Sequence, residues 1–138
     1  MEEVWKVYKK DFIPKDYYFL MECKIKNDVT TIELEGRHCK LTFEFINITA
    51  LRFCDEGKRL RTYNEVEEIL SYYKKRFIGR PVFKVENSEF CKWIASESVD
   101  FIPESYHFAF VTEEEIIDVV SLDPPKILID NYNFTDTE

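Results

Sequence analysis

The sequence predicts an α+β domain, in which one antiparallel sheet of about six to seven strands packs with two helices. Two observations predict this class. Apolar residues alternate with polar ones over much of the chain, and turn residues separate these runs. Two segments depart from this alternation and carry helical spacing or a helix cap. The 138 residues fit a single globular domain, 1–138, with a polar, loose tail from about residue 130.

The segment from residue 16 to residue 54 predicts an antiparallel meander, because short turns separate consecutive alternating runs. Turn residues stand at Asn27-Asp28 and at Gly36. The predicted strands cover residues 18–25, 30–35, 41–45 and 51–53. Residues 1–15 mix apolar and basic positions, and their pattern leaves a short helix and an irregular segment as alternatives.

The period then changes, and residues 62–77 predict the first helix. Its apolar positions follow i, i+3, i+4, i+7 and i+11 spacing: Val66, Ile69, Leu70, Tyr73 and Phe77. Acidic residues crowd the first turn and basic residues the last turn, which complements the helix dipole. The helix is expected to end at Gly79-Arg80-Pro81.

The last third of the chain predicts further strands around a second, shorter helix. A cap-type residue, Asn87 or Ser88, precedes this helix, which is predicted over residues 88–96. Its apolar inner face comprises Phe90, Trp93 and Ile94. The predicted strands cover residues 82–85, 106–111, 116–120 and 126–129.

The charge of the chain disfavours two classes of partner. The formal net charge is −8, from 19 basic and 27 acidic residues. A field of that sign repels nucleic-acid phosphates and anionic lipid, so the sequence predicts no nucleic-acid partner and no membrane partner. No apolar run approaches the ~20 residues that a membrane-spanning helix needs. The same field favours a basic protein partner, although net charge also serves solubility alone.

The cysteines indicate a reducing compartment, so the sequence predicts a cytoplasmic protein. They are spread along the chain without a C-x-x-C pair: Cys23, Cys39, Cys54 and Cys91. The first residues lack the basic start and apolar run of a signal peptide. His38 and Cys39 are adjacent and would point to opposite faces of a strand, which makes a poor chelate. With no Gly-rich phosphate loop either, the sequence predicts no metal and no cofactor.

His107 is the first candidate for chemistry, because a strand histidine beside carboxylates can act as a general base. If the strands on either side of the acidic turn pair as a hairpin, Asp118 is expected near Phe110 or Thr112. A ligand pocket between sheet and helices would be lined by His107, Asp118, Trp93 and Tyr106. No nucleophile has an obvious place in this set. A structural histidine is therefore the favoured interpretation, and the sequence favours a protein that is not an enzyme.

Two acidic clusters are candidates for contacting a basic protein. One lies at the start of the first helix and the other in the turn between the last two long strands. An acidic face would speed the capture of a basic partner by electrostatic steering. The residues are Glu65, Glu67, Glu68, Glu113, Glu114 and Glu115.

Residues 81–125 carry a pattern of core and turn positions. Asn87-Ser88 leads the helix of Trp93, and a strand with Tyr106-His107-Phe108 precedes an acidic turn. The pattern ends with Ile117-Asp118-Val119-Val120-Ser121 and the pair Pro124-Pro125. This outline resembles a group of small uncharacterised bacterial proteins, some of them of the toxin-immunity type. The resemblance implies a shared fold and a stand-alone protein, and it carries over no catalytic residue.

These observations favour a non-enzymatic, acidic protein-binding module, such as an immunity protein that plugs the active site of a toxin. The small size, the charge and the lack of a catalytic motif support this hypothesis. One alternative is a small-ligand binder or an enzyme, with a pocket near His107 and Asp118. A second alternative is a structural homo-oligomer that forms through an open sheet edge.

Overall fold

The computed structural model describes residues 3–55, 79–99 and 104–132. In these residues the chain is mostly β, with two antiparallel sheets and one helix. The prediction of an α+β domain with one sheet of about six to seven strands and two helices is therefore wrong. The helix predicted over 62–77 lies outside the described residues.

The first sheet has five strands and contains most of the C-terminal part of the chain. In spatial order its strands are β1 (Val4–Val7), β6 (Val82–Glu86), β7 (Tyr106–Val111), β8 (Glu115–Ser121) and β5 (Ala50–Asp55). For residues 1–15 the sequence left a short helix and an irregular segment as alternatives. In the structure, Val4–Val7 of this segment form strand β1. It pairs along β6, with Trp5 opposite Val85.

The second sheet has four strands. In spatial order they are β2 (Phe19–Lys26), β3 (Val29–Glu35), β4 (Cys39–Ile46) and β9 (Lys126–Asn131). The first three form three strands of the predicted meander, but the fourth predicted strand, 51–53, belongs to β5 of the other sheet and pairs with β8. Strand β9 returns from the end of the chain to pair with β4, and Asp130 and Asn131 lie opposite Lys40 and Cys39. The sequence suggested a loose tail from about residue 130. In the structure Asp130 and Asn131 still belong to strand β9.

The two sheets pack face to face, and their inner faces form the main core. Phe43 of β4 meets Phe110 of β7 edge to face, with 4.9 Å between ring centroids. Phe45 and Phe108 lie 5.8 Å apart. All four rings are at most 1% exposed. Burial of this aromatic surface on both sheets is what makes two layers more stable than one extended sheet.

The only helix among the described residues, α1 (Glu89–Glu97), covers the outer face of the five-stranded sheet. Phe90 and Ile94 pack there against Val120. The observed helix agrees with the one predicted over 88–96. Its inner face was wrong in one position, because Trp93 is 58% exposed and stacks on Phe90 from outside. No helix in the described parts of the chain is long and apolar enough to span a bilayer.

A buried carboxylate holds the turn between β3 and β4. Asp16 is 4% exposed, and its side chain accepts hydrogen bonds of 2.7 Å from the amides of Tyr17 and His38. Burial acts to raise the pKa of Asp16, but the hydrogen bonds from the amides of His38, Tyr17 and Arg37 outweigh it, so the pKa lies below its usual value. A side chain at Gly36 would overlap this carboxylate, which explains a glycine there.

Candidate functional site

The site is built on the hairpin of β7 and β8, where His107 and Asp118 face α1. His107 lies opposite Val120 and Asp118 lies opposite Ala109, so the two side chains are diagonal neighbours on one face. Nε2 of His107 is 2.7 Å from Oδ1 of Asp118. The sequence placed Asp118 near Phe110 or Thr112. It lies opposite Ala109, the neighbour of Phe110, on the face of the hairpin that Phe110 does not share.

Arg52 of β5 supplies the charge that balances Asp118. It lies directly opposite Asp118 in the ladder, and its Nε donates to Oδ2 over 2.9 Å. The Asp118 side chain is fully buried, while that of Arg52 is 39% exposed and reaches solvent. The Arg52 guanidinium also stacks over the ring of Phe90, 4.3 Å from its centroid. A buried carboxylate is expensive unless it is paired and hydrogen-bonded, and both conditions are met here.

Ser88, the residue that caps α1, completes a continuous chain of hydrogen bonds. Its Oγ is 2.6 Å from Nδ1 of His107 and accepts a bond of 2.9 Å from the amide of Cys91. Asp118 is paired with Arg52 and is therefore ionised, so Nε2 of His107 must be the donor between these two. In neutral His107, Nδ1 is then an acceptor, and the Ser88 hydroxyl donates its proton to it.

A half-open cleft of about 560 Å³ borders this chain of hydrogen bonds. It lies where the end of β6, the start of α1 and the start of β7 meet, and both Ser88 and His107 contribute to its wall. The Nζ of Lys84 lies 5.0 Å from the ring centroid of Tyr106. The full lining is Lys84, Val85, Glu86, Asn87, Ser88, Cys91, Glu104, Ser105, Tyr106, His107 and Leu122.

The structure brings together three of the four residues expected to form a ligand site. His107 and Tyr106 line the cleft, and Asp118 lies behind His107 at hydrogen-bond distance. Trp93 does not line the cleft, because it lies on the outer side of α1. His107 and Asp118 do approach each other, but His107 is only 2% exposed, and a ligand site at these residues stays a prediction.

Cys91 also lines the cleft, but its thiol is held in the protonated form. Burial raises the pKa of Cys91, a hydrogen bond with Ser88 acts to lower it, and the charge of Glu3 raises it further. Glu3 is held at the start of α1 by the amide of Glu89, which donates to it over 2.8 Å. Since the thiolate is the nucleophilic form of cysteine, the raised pKa disfavours Cys91 as a nucleophile.

The acidic residues expected to contact a partner are not gathered into one described surface. Glu65, Glu67 and Glu68 lie outside the described residues. In the turn between β7 and β8, Glu114 is exposed, while Glu113 and Glu115 are half-buried. The Glu115 carboxylate accepts a hydrogen bond of 2.6 Å from the hydroxyl of Thr112. The Glu115 carboxylate is thus engaged in holding the turn itself.

Sequence reasoning missed Arg52 and assigned Ser88 only a capping role. Arg52 stands 66 residues from Asp118, and Ser88 stands 19 residues from His107. No local spacing connects residues so far apart. The one available signal was the cap itself, which places the Ser88 hydroxyl at the start of α1.

No group of three or more His, Cys, Asp or Glu side chains that could hold a metal ion occurs in the segments 3–55, 79–99 and 104–132.

Comparisons with protein-family models, curated protein sequences and solved structures found no match. The similarity of residues 81–125 to proteins of the toxin-immunity type therefore stays a prediction.

Proposed function

We propose that this protein binds a small polar ligand in the cleft formed by β6, α1 and β7. The observation that carries the proposal is the cleft of about 560 Å³ whose wall contains the Ser88 and His107 ends of a buried hydrogen-bonded chain. Protein sites for small molecules usually enclose about 300–1,000 Å³ and combine apolar walls with a few well-placed polar groups.

The polar groups of the cleft define the chemistry of the ligand. Hydroxyl groups come from Ser88 and Ser105, and a cation from Lys84 stands beside the ring of Tyr106. The carboxylates of Glu86 and Glu104, opposite in charge to Lys84, line the same cleft. A ligand with both a carbonyl or hydroxyl group and a flat or apolar part would satisfy this set.

The site is also rigid, which favours ligand binding over a mobile surface. His107 is 2% exposed and Ser88 is 7% exposed, and each is fixed by two hydrogen bonds. Such preorganisation reduces the entropy lost when a ligand is bound. The cleft thus presents its polar atoms in fixed positions at the end of a helix.

The experiment is NMR titration of the ¹⁵N-labelled protein with a library of polar fragments. We expect hits that shift the amides of 84–88 and 104–107, and we expect Tyr106→Ala to weaken their binding at least about tenfold. Phe53→Ala is the matched control, because Phe53 is an exposed aromatic residue outside the lining. Fragments that shift only other surfaces, or bind Tyr106→Ala as well as wild type, would contradict the proposal.

A second function, capture of a basic protein, is supported by the net charge of −8 and by the exposed Glu114 in the acidic turn. We propose the double variant Glu113→Lys, Glu114→Lys as its test. Electrostatic steering predicts slower association with a basic partner and a flatter salt dependence. An unchanged association rate would count against it.

A homo-oligomer formed through a sheet edge is the third alternative, which light scattering across protein concentrations tests.

The compartment that suits this site is a reducing one, such as the cytoplasm. All four cysteines are free, and Cys91 is part of the cleft wall. Persistent free thiols are typical of reducing compartments. We therefore expect the protein to act there, and fractionation of the native host, with detection of this chain, tests the expectation.

A further inference from the structure

We propose that Ser88 is a nucleophile, activated by His107, that takes an acyl group from a small ester bound in the cleft. This inference rests on the proposed function, because the ester must occupy the same cleft. Ser88 and His107 are the catalytic residues in this scheme. Asp118 and Arg52 are positioning residues, which hold the imidazole in the required tautomer.

The direction of the hydrogen bonds supports the proposal. With Asp118 ionised beside Arg52, we infer that neutral His107 carries its proton on Nε2, where it donates to Asp118. The unprotonated Nδ1 lies 2.6 Å from Oγ of Ser88, within the range in which a base can take a proton from a nucleophile. A nucleophile, a base and a group that orients the base are the three parts of the arrangement used in acyl transfer.

The ring nitrogens are used in the reverse of the usual order. In serine hydrolases Nε2 contacts the serine and Nδ1 contacts the aspartate. Here Nδ1 contacts Ser88 and Nε2 contacts Asp118. In this tautomer Nδ1 can accept the Ser88 proton while the Nε2 proton stays hydrogen-bonded to Asp118, so the base retains its function.

The local backbone places Ser88 at a tight connection between a strand and a helix. Strand β6 ends at Glu86, Asn87 adopts a positive φ of 53°, and α1 begins at Glu89. A strand-to-helix turn is also how α/β-hydrolases expose their nucleophile.

The acylation step balances without any additional reagent. Oγ of Ser88 forms a bond to the carbonyl carbon while its proton passes to Nδ1 of His107, and the carbonyl electron pair moves to oxygen. When this pair returns, the bond to the alkoxy group breaks, and His107 gives the proton to the departing oxygen. An alcohol leaves, and Ser88 carries the acyl group as an ester.

Water is the second reactant and regenerates the serine. His107 takes a proton from water as the water oxygen attacks the acyl carbon. Oγ of Ser88 then leaves and recovers the proton from His107, so a carboxylic acid is released. The full cycle converts an ester and water into an alcohol and an acid.

The test uses p-nitrophenyl acetate with the full-length protein, followed by intact mass and peptide mapping. We expect acetylation at Ser88 together with release of p-nitrophenolate, and an acetylation rate at Ser88 about a hundredfold lower in His107→Gln. Ser98→Ala is the matched control, because Ser98 sits at the other end of α1, where its hydroxyl donates to the carbonyl of Ile94. This control should be acetylated at Ser88 like wild type.

Mapping in the wild-type protein keeps the test independent of whether a variant folds. Acetylation confined to lysine or cysteine, with Ser88 unmodified, would overturn the assignment of Ser88 as the nucleophile. If acetamide, an unreactive analogue, shifts the amides of the cleft while Ser88 stays unmodified, the binding site stands and the acyl transfer fails. If neither shift nor acetylation occurs, both proposals fail for this class of ligand.

Discussion

Nε2 of His107 lies 2.7 Å from Oδ1 of Asp118, and this contact joins two strands on the face that α1 covers. The opposite face of the same strands contributes Phe108, Phe110, Ile117 and Val119 to the main core. The hairpin of β7 and β8 is thus buried on both faces, with an aromatic core on one and a charged chain of hydrogen bonds on the other. Replacing each of these parts has a different expected result.

Asp118→Asn tests the buried ion pair. The variant leaves the Arg52 guanidinium without its counter-charge, and removing one partner of a buried pair typically costs 3–5 kcal/mol. Because the Arg52 side chain is 39% exposed, we expect a loss nearer about 2–3 kcal/mol in the free energy of unfolding. Urea denaturation at neutral pH measures it.

The control for this variant is Lys6→Ala. Lys6 pairs with Glu86 at 3.2 Å, and both side chains are largely exposed. Exposed pairs contribute little, so this loss should be much smaller than that of Asp118→Asn. Equal losses in the free energy of unfolding of the two variants would show that the buried pair of Asp118 and Arg52 stabilises the fold no more than an exposed pair.

The packing of the two sheets is tested by a double-mutant cycle on Phe43 and Phe110. The rings meet edge to face at 4.9 Å, and such pairs couple by about 0.5–1.5 kcal/mol. We expect this coupling from Phe43→Leu, Phe110→Leu and the double variant, measured by urea denaturation. Phe43 with Phe83 is the control pair, since Phe83 belongs to a different buried cluster and should not couple. No coupling between Phe43 and Phe110 would contradict the face-to-face packing.

The sequence predicted individual elements better than their arrangement. Alternation in β3 and β4 and the cap of α1 are local signals, and these elements were found where they were expected. Strand β9 pairs with β4, and the paired residues Thr42 and Leu128 are 86 positions apart in the chain. No local pattern encodes such a pairing. The prediction of one sheet failed for this reason.

The site could be predicted only in part, because some of its contacts are local in the chain and others are long-range. His107 and Asp118 belong to one hairpin, so their approach followed from local pairing, although the sequence did not fix the register of that pairing. Ile116 to Val120 is buried throughout, and a strand buried on both faces lacks the alternation that fixes register. Arg52 and Ser88 join through long-range packing, which the sequence does not reveal.

Asp16 makes the stability of the fold depend on acid pH. Its pKa is lower in the folded state than the ordinary value of 3.8, because the amide hydrogen bonds outweigh the effect of burial. The ionised carboxylate therefore stabilises the fold above about pH 4, and this contribution is lost as the pH falls through the lowered folded pKa. We expect Asp16→Asn to lose about 1–2 kcal/mol at pH 7, and the difference from wild type to shrink below pH 4.

Guanidinium denaturation at pH 7, 5 and 3 measures this effect. Asp28→Asn is a suitable control, because Asp28 is exposed in the turn between β2 and β3. A difference between Asp16→Asn and wild type that stays constant from pH 7 to pH 3 would show that the charge of Asp16 has no part in stability.

Gly36→Ala tests the fit of the β3–β4 turn around Asp16. A Cβ at Gly36 would overlap the Asp16 carboxylate and lie 2.9 Å from Cε1 of Tyr18, so the turn must shift. We expect a loss of about 1–3 kcal/mol, the usual cost of overpacking, in thermal or urea unfolding. A Gly36→Ala variant as stable as wild type would mean that the carboxylate does not occupy this space.

The most direct test of the site is the tautomer of His107, measured by two-bond ¹H–¹⁵N NMR correlation at pH 8. The chain has two histidines, so the exposed His38 serves as an internal reference. We predict that His107 carries its proton on Nε2, with Nδ1 unprotonated toward Ser88. A proton on Nδ1 instead would contradict the account, because His107 would then be unable to accept the proton of Ser88.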